Sequence, residues 1–170
     1  DVQRSIIETD ELKSFDLLSI KSDEISDQQL EKNCEKLLND INKSSRPVFL
    51  IGGGVKSADA TEDLHEIGNL LEIPMYPTWN ALDVVTCDYK YYCGRIGTYG
   101  GAGRNFGLQN SDLLISIGSR ISGRITGGNV KTFARAAKKY MVDVDPGVLK
   151  KEFQQVPFDE NINCDAKKFM

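Results

Sequence analysis

One histidine, His65, is all the imidazole in these 170 residues, and it stands among Glu62, Asp63 and Glu66 in a helical stretch. That setting predicts a solvated helix-face residue, so no Ser–His–Asp or Cys–His relay can be built on it. The four cysteines (Cys34, Cys87, Cys93, Cys164) form no C-x-x-C pair and have no partner histidines. Metal binding is thereby disfavoured, and reduced thiols in a cytoplasmic protein are the simpler reading. No apolar run is long enough to cross a membrane. A net charge of −4, with Lys and Arg interspersed among acids, argues against a nucleic-acid face, which would be basic and clustered. The chain also lacks an initiating Met. It begins at Asp1-Val2-Gln3, which reads as a piece of a longer protein.

Residues 112–127, D-L-L-I-S-I-G-S-R-I-S-G-R-I-T-G, organise what is present. The run Leu113 to Ile117 breaks at Gly118 into a loop with Arg120 and Arg124 and the glycines Gly123, Gly127 and Gly128. A short β-branched apolar run ending in glycine reads as a buried parallel strand. Ligands of open α/β sheets sit just beyond the carboxyl ends of such strands. An arginine pair on that rim suits a diphosphate or carboxylate. An ordinary βα loop with solvated arginines would present the same residues.

Around it, residues 1–23 mix charge with scattered apolar residues and read as a connecting segment draped over the surface through Phe15, Leu17, Leu18 and Ile20. Ser26 and Gln29 form a capping-box pattern, followed by an apolar stripe of Leu30, Cys34, Leu37, Leu38 and Ile41. Pro47–Ile51 reads as a strand running into Gly52-Gly53-Gly54. Ser57 is then expected to cap a helix carrying Ala60, Leu64, Ile67 and Leu71 inward. Strand, glycine turn and helix start make an anion site, although glycine also serves close backbone packing. Ile73–Thr78 is a second short strand, Trp79–Val85 one or two helical turns, and 87–104 a loop rich in Tyr and Gly. A short helix is expected around Phe106 and Leu108. Lys139–Val144 is the strand after the arginine loop, Asp145-Pro146 opens a helix, and Glu160–Cys164 reads as an edge strand before a helix begun at Asp165. Asp143, at a strand end, suits ribose hydroxyls or the cap of the next helix. Alternating strands and helices imply a parallel sheet covered on both faces.

Five motifs in order resemble the central domain of thiamine-diphosphate-dependent enzymes, most closely the acetolactate synthase group. They are R-P-V-F-L-I-G-G-G-V (46–55), G-R-I-G-T-Y-G (94–100), S-D-L-L-I-S-I-G-S-R-I-S-G-R-I-T-G (111–127), Y-M-V-D-V-D-P (140–146) and N-C-D-A (163–166). The resemblance implies a three-layer αβα sandwich with a six-stranded parallel sheet, Rossmann-like, of the deoxyhypusine synthase-like FAD/NAD-binding type. It makes 1–23 a linker from an upstream pyrimidine-binding domain and 24–170 the central domain, with a C-terminal domain to follow. FAD or ADP is the cofactor implied here. The contacts carried over are Gly52, Gly53 and Gly54 by the ribityl–diphosphate, Thr78 on the second strand, and Gly97, Thr98, Tyr99 and Gly100 near the flavin. Gly118, Ser119, Arg120, Arg124 and Ile125 form the arginine loop, with Arg124 also a substrate contact. Asp143, Val144 and Asp165 fall around the adenosine.

The sequence departs from that pattern in three places. Where the family has F-D-D-R this chain has Ile121-Ser122-Gly123-Arg124, and Thr98-Tyr99 replaces Met-His in the loop under the flavin. Glu8 falls near the place of a linker arginine, with Arg4 four residues earlier. The glutamate and the G-D-G…N motif that hold thiamine diphosphate and Mg2+ are not in the chain, so the isolated chain is expected to be catalytically inert, its activity residing in the full-length homodimer or homotetramer. Two alternatives remain: a scaffold that binds nothing and spaces and dimerises its neighbours, and a dinucleotide-binding domain of transhydrogenase or electron-transfer-flavoprotein type.

Overall fold

The computed structural model describes residues 25–170, so the connecting segment expected at 1–23 lies outside the described residues. The first element is helix α1 (Asp27–Lys43), whose start keeps the forward half of the capping box: the Ser26 hydroxyl accepts from the Gln29 amide, while the Gln29 side chain donates onward to Asn33 at 3.1 Å. Strand β1 (Pro47–Ile51) follows, then helices α2 (Gly54–Ser57) and α3 (Thr61–Leu71) and strand β2 (Met75–Pro77). Helix α4 (Ala102–Gln109) leads into β3 (Leu113–Ile117). Helix α5 (Gly123–Thr126), strand β4 (Lys138–Asp143), helix α6 (Pro146–Leu149), strand β5 (Glu160–Asn163) and helix α7 (Ala166–Phe169) complete the order.

All neighbouring strands run parallel, in the order β2-β1-β3-β4-β5. The strands expected at Pro47–Ile51, Leu113–Ile117 and Lys139–Val144 are therefore neighbours. Every residue of β3 is buried, as a strand covered on both faces must be. Side chains alternate between two cores. Phe49, Ile51, Ile115, Ile117 and Val142 pack under α1, α3 and α7, while Val48, Leu50, Leu114 and Met141 pack with Leu108, Phe133, Val156 and Phe158. This is an α/β arrangement with apolar cover on both faces of one sheet.

Three expectations need correcting. Among the described residues the sheet has five strands, not six. Beyond β2 the chain adds only an isolated bridge at Tyr92, where the Met75 amide donates to Tyr91 O at 2.8 Å and the Cys93 amide to Met75 O at 2.9 Å. The helix expected from Ser57 is broken. Ser57 ends the one-turn α2, the chain reverses through Asp59 at φ 53°, and Ala60 stands at the start of α3 without a side-chain cap. His65 is half-buried, not solvated. Its Nε2 lies 2.7 Å from Val84 O and its ring stacks on Tyr89 at 4.6 Å between centroids, so it pins α3 to the loop that follows β2.

Asp112, which opens the organising stretch, ties the α1–β1 turn to β3. Its carboxylate accepts from the Ser45 and Arg46 amides, both at 2.9 Å, and from the Ser44 hydroxyl. Burial works to raise its pKa, but these hydrogen bonds outweigh it and hold the carboxyl below the ordinary carboxylate range. A depressed folded pKa contributes stability that is present above the unfolded value of about 3.9 and is lost as pH falls through the folded value. Asp112→Ala should thus cost about 1–2 kcal/mol at pH 7. In urea unfolding, the gap between wild type and variant should narrow as pH is lowered toward 3; a gap constant with pH would contradict the assignment.

Candidate functional site

Strand β1 sends the chain to β2 on one side of the sheet, whereas β3, β4 and β5 build out on the other. The order reverses between β1 and β3, and open α/β sheets bind ligands beyond the carboxyl ends of the strands at such a point. A cleft of about 600 Å³ opens there, lined by Gly52–Gly54, Lys56, Ser57, Thr78–Asn80, Gly118–Ser122, Arg124 and Ile125.

The floor of the cleft is backbone packed on backbone. A Cβ on Gly52 would stand 2.6 Å from Ser119 Cα and closer still to Gly118 O. A Cβ on Gly54 would stand 2.7 Å from Gly118 Cα. Gly118 itself turns at φ 60°, a left-handed conformation open to glycine without cost. Hydrogen bonds lock the two turns together: the Gly52 amide donates to Ile117 O at 2.9 Å and the Gly54 amide to Gly118 O at 3.1 Å. The glycines are therefore required by the crossing of two loops before any ligand is considered.

The wall of the cleft is the arginine loop. Arg120 and Arg124 are exposed, and among the described residues no carboxylate lies within ion-pairing distance of either. Between them Ile121 is buried at φ 34°. A β-branched residue there is a genuine outlier, of the kind that costs on the order of 1–3 kcal/mol and clusters at functional sites. On the opposite wall the Thr78 amide donates to Ile51 O at 2.8 Å, which fixes the end of β2 against β1.

The cleft thus gathers Gly52, Gly53, Gly54, Thr78, Gly118, Ser119, Arg120, Arg124 and Ile125 of the expected site. Gly97, Thr98, Tyr99 and Gly100 are not in its lining but brace it, for the Thr98 amide and hydroxyl donate to Arg124 O at 2.9 and 3.1 Å. Asp143 lies near enough to Arg120 to feel its charge. Burial raises its carboxyl pKa; amide hydrogen bonds and Arg120 work the other way. Val144 is exposed outside the cleft, and Asp165 caps α7 by accepting from the Lys167 and Lys168 amides. Sequence reasoning passed over Lys56, Trp79, Asn80, Ile121 and Ser122. The signal for Trp79 and Asn80 was their place directly after Thr78, at the carboxyl end of a strand. Among the described residues no group of three His, Cys, Asp or Glu side chains could hold a metal ion, and no helix is long and apolar enough to cross a membrane.

The family model of the thiamine pyrophosphate enzyme central domain matches residues 34–170. The acetolactate synthase isozyme 2 large subunit of Escherichia coli (strain K12) is 38% identical over 111 residues, 65% of this chain and 20% of that protein. The probable acetolactate synthase large subunit of Methanococcus aeolicus is 37% identical over 136 residues, covering 80% of this chain and 22% of its own length. The acetolactate synthase large subunit of Corynebacterium glutamicum is 38% identical over 120 residues, 71% of this chain and 19% of its own. The chain spans about a fifth of the length of the curated relatives it matches.

Proposed function

The chain belongs to the thiamine pyrophosphate enzyme family as its central domain, and from that premise we propose that it is the nucleotide-binding middle of a carboligase or decarboxylase acting on 2-keto acids. The ligand of its cleft is FAD or ADP, with the diphosphate over Gly52–Gly54 and within reach of Arg120 or Arg124. The observation that carries this reading is a polar cleft at the β1/β3 switch point whose wall carries two exposed arginines, neither of them in an ion pair among the described residues. Its volume is of the size that small-molecule sites have, about 300–1,000 Å³. Strain stored at Ile121, between the arginines, fits a loop shaped for binding. Arg124 is the residue through which a keto-acid carboxylate would be met in the complete enzyme, and the flanking thiamine-diphosphate domains of a cytoplasmic homodimer or homotetramer would supply the rest. Thiamine diphosphate and Mg2+ are held outside this chain, since its sequence has no G-D-G motif.

One observation favours a second reading, a scaffold that binds no cofactor. Gly52, Gly54 and Gly118 are accounted for by packing on one another, so they do not by themselves call for a ligand.

Calorimetry with FAD, ADP and NAD separates the readings. Binding of FAD or ADP well below 1 mM is expected. Failure of all three near 1 mM, about −4 kcal/mol of affinity, would leave the scaffold, and binding of NAD alone would favour a dinucleotide domain. Supplied with thiamine diphosphate, Mg2+ and FAD, the isolated chain should turn over no pyruvate above a protein-free control. Cofactor-dependent acetolactate or CO2 release from it would overturn the division of labour proposed here.

A further inference from the structure

Trp79 is the one aromatic residue among those described that line the cleft, and half of its surface is open to solvent. It opens a single 3-10 turn, Trp79–Ala81, directly after Thr78, and the Ala81 amide closes that turn on Thr78 O at 3.0 Å. The turn sits against the glycine floor, with Asn80 Cβ at the spot where a Cβ on Gly53 would touch it. Tyr99 meets the indole edge-on at 5.7 Å and 78°, and the Arg95 guanidinium stands over one face of the ring, 5.4 Å from its centroid, which leaves the other face for a ligand. Those two residues come from the segment that braces Arg124 through Thr98. A large ring held by two neighbours yet left half-solvated forgoes much of the burial that aromatic side chains ordinarily supply.

The other walls differ in chemistry. Glycine backbone, Thr78, Ser119, Arg120 and Arg124 offer hydrogen-bond donors and positive charge, whereas Ile121 and Ile125 offer apolar but non-planar surface. A phosphate needs the first set, and a flat heterocycle needs a face such as Trp79. We propose that Trp79, steadied by Tyr99 and Arg95, is the ring-stacking residue of the cleft, so that the site selects ligands in which a diphosphate carries a planar heterocycle, and discriminates against the bare diphosphate. This rests on the nucleotide-binding reading given above and adds a specificity-determining residue to it.

Trp79 is the only tryptophan in the chain, so its fluorescence reports on this residue alone. The test titrates wild type, Trp79→Ala and Trp79→Phe with inorganic pyrophosphate and with ADP, by calorimetry, and by emission for wild type. ADP is expected to quench the emission and pyrophosphate to bind without quenching it. Trp79→Ala should bind ADP roughly tenfold or more weakly, since base stacking on an aromatic ring is of that size, and should bind pyrophosphate as before. Trp79→Phe, which keeps a ring, should recover most of the ADP affinity. If ADP binds Trp79→Ala as tightly as wild type and leaves the emission unchanged, the stacking role is wrong and the anion site stands. If neither pyrophosphate nor ADP binds wild type, the nucleotide reading falls and this inference with it. Circular dichroism of both variants guards against misfolding. Should the alanine variant be unfolded, the wild-type emission and the phenylalanine variant still decide the matter.

Discussion

Gly52→Ala should lower the melting temperature of the domain by roughly 6–12 °C. The added methyl meets the backbone of Gly118 and Ser119, which have no flexible end to swing aside. Overpacking of that kind costs about 3 kcal/mol, and a domain of this size loses about 2–4 °C per kcal/mol. The strain falls where β1 and β3 end side by side, so the two central strands would have to part to relieve it. Gly103→Ala is the matched control: a Cβ there meets nothing within 4 Å and lies in α4. Helical glycine is worse than alanine by about 0.5–1 kcal/mol, so this variant should melt slightly higher than wild type. Equal melting of Gly52→Ala and wild type would show that the two loops do not cross as closely as described.

Arg120→Ala and Arg124→Ala should each weaken FAD or ADP binding roughly tenfold or more, because charge-assisted contacts to a phosphate contribute about 1.5–3 kcal/mol apiece. The double variant should lose about a hundredfold or more if the two act independently, and less if one phosphate oxygen is shared between them. Affinity in wild type should fall with added salt, as expected for exposed charges, and that dependence should flatten in the variants. Arg135→Ala is the control, since Arg135 is exposed but lines a separate cavity with Lys131 and Lys139. If a nucleotide binds and neither arginine matters, the diphosphate lies elsewhere. His65→Ala would be a poor control, because His65 packs on Tyr89 and contacts Val84.

The parts that were legible in the sequence are those whose causes are local. The capping of α1 by Ser26, the start of α6 at Asp145-Pro146 and the start of α7 at Asp165 each follow from a side chain bonding an amide two or three residues on. The apolar run of β3 identified a strand buried on both faces, and its glycine end marked the rim where the cleft opens. Arg120 and Arg124 could be placed at the cleft because loops after parallel strands share one edge of the sheet. Ser57 misled for the opposite reason. A serine before an apolar periodic stretch is a helix cap only if the chain has not already begun to coil, and here Gly54 had started a turn that Asp59 ended.

By itself, then, the sequence determined a parallel α/β domain, its strands in chain order and the rim that carries the arginines, because hydrophobic period and capping chemistry act over a few residues; its family was legible separately, from the resemblance of five ordered motifs. Tertiary structure decided what those stretches do to one another. Gly52 and Gly118 lie far apart in the chain, and only the pairing of β1 with β3 turns two flexible residues into a crossing with no room for a methyl group. Only the folded chain sets Trp79 beside Tyr99 and Arg95 at the mouth of the cleft, packs His65 against Tyr89 and Val84, and holds Ile121 in a left-handed conformation between two arginines. Each of these depends on contacts between segments distant in sequence, and no local pattern of residues specifies which distant segment will arrive.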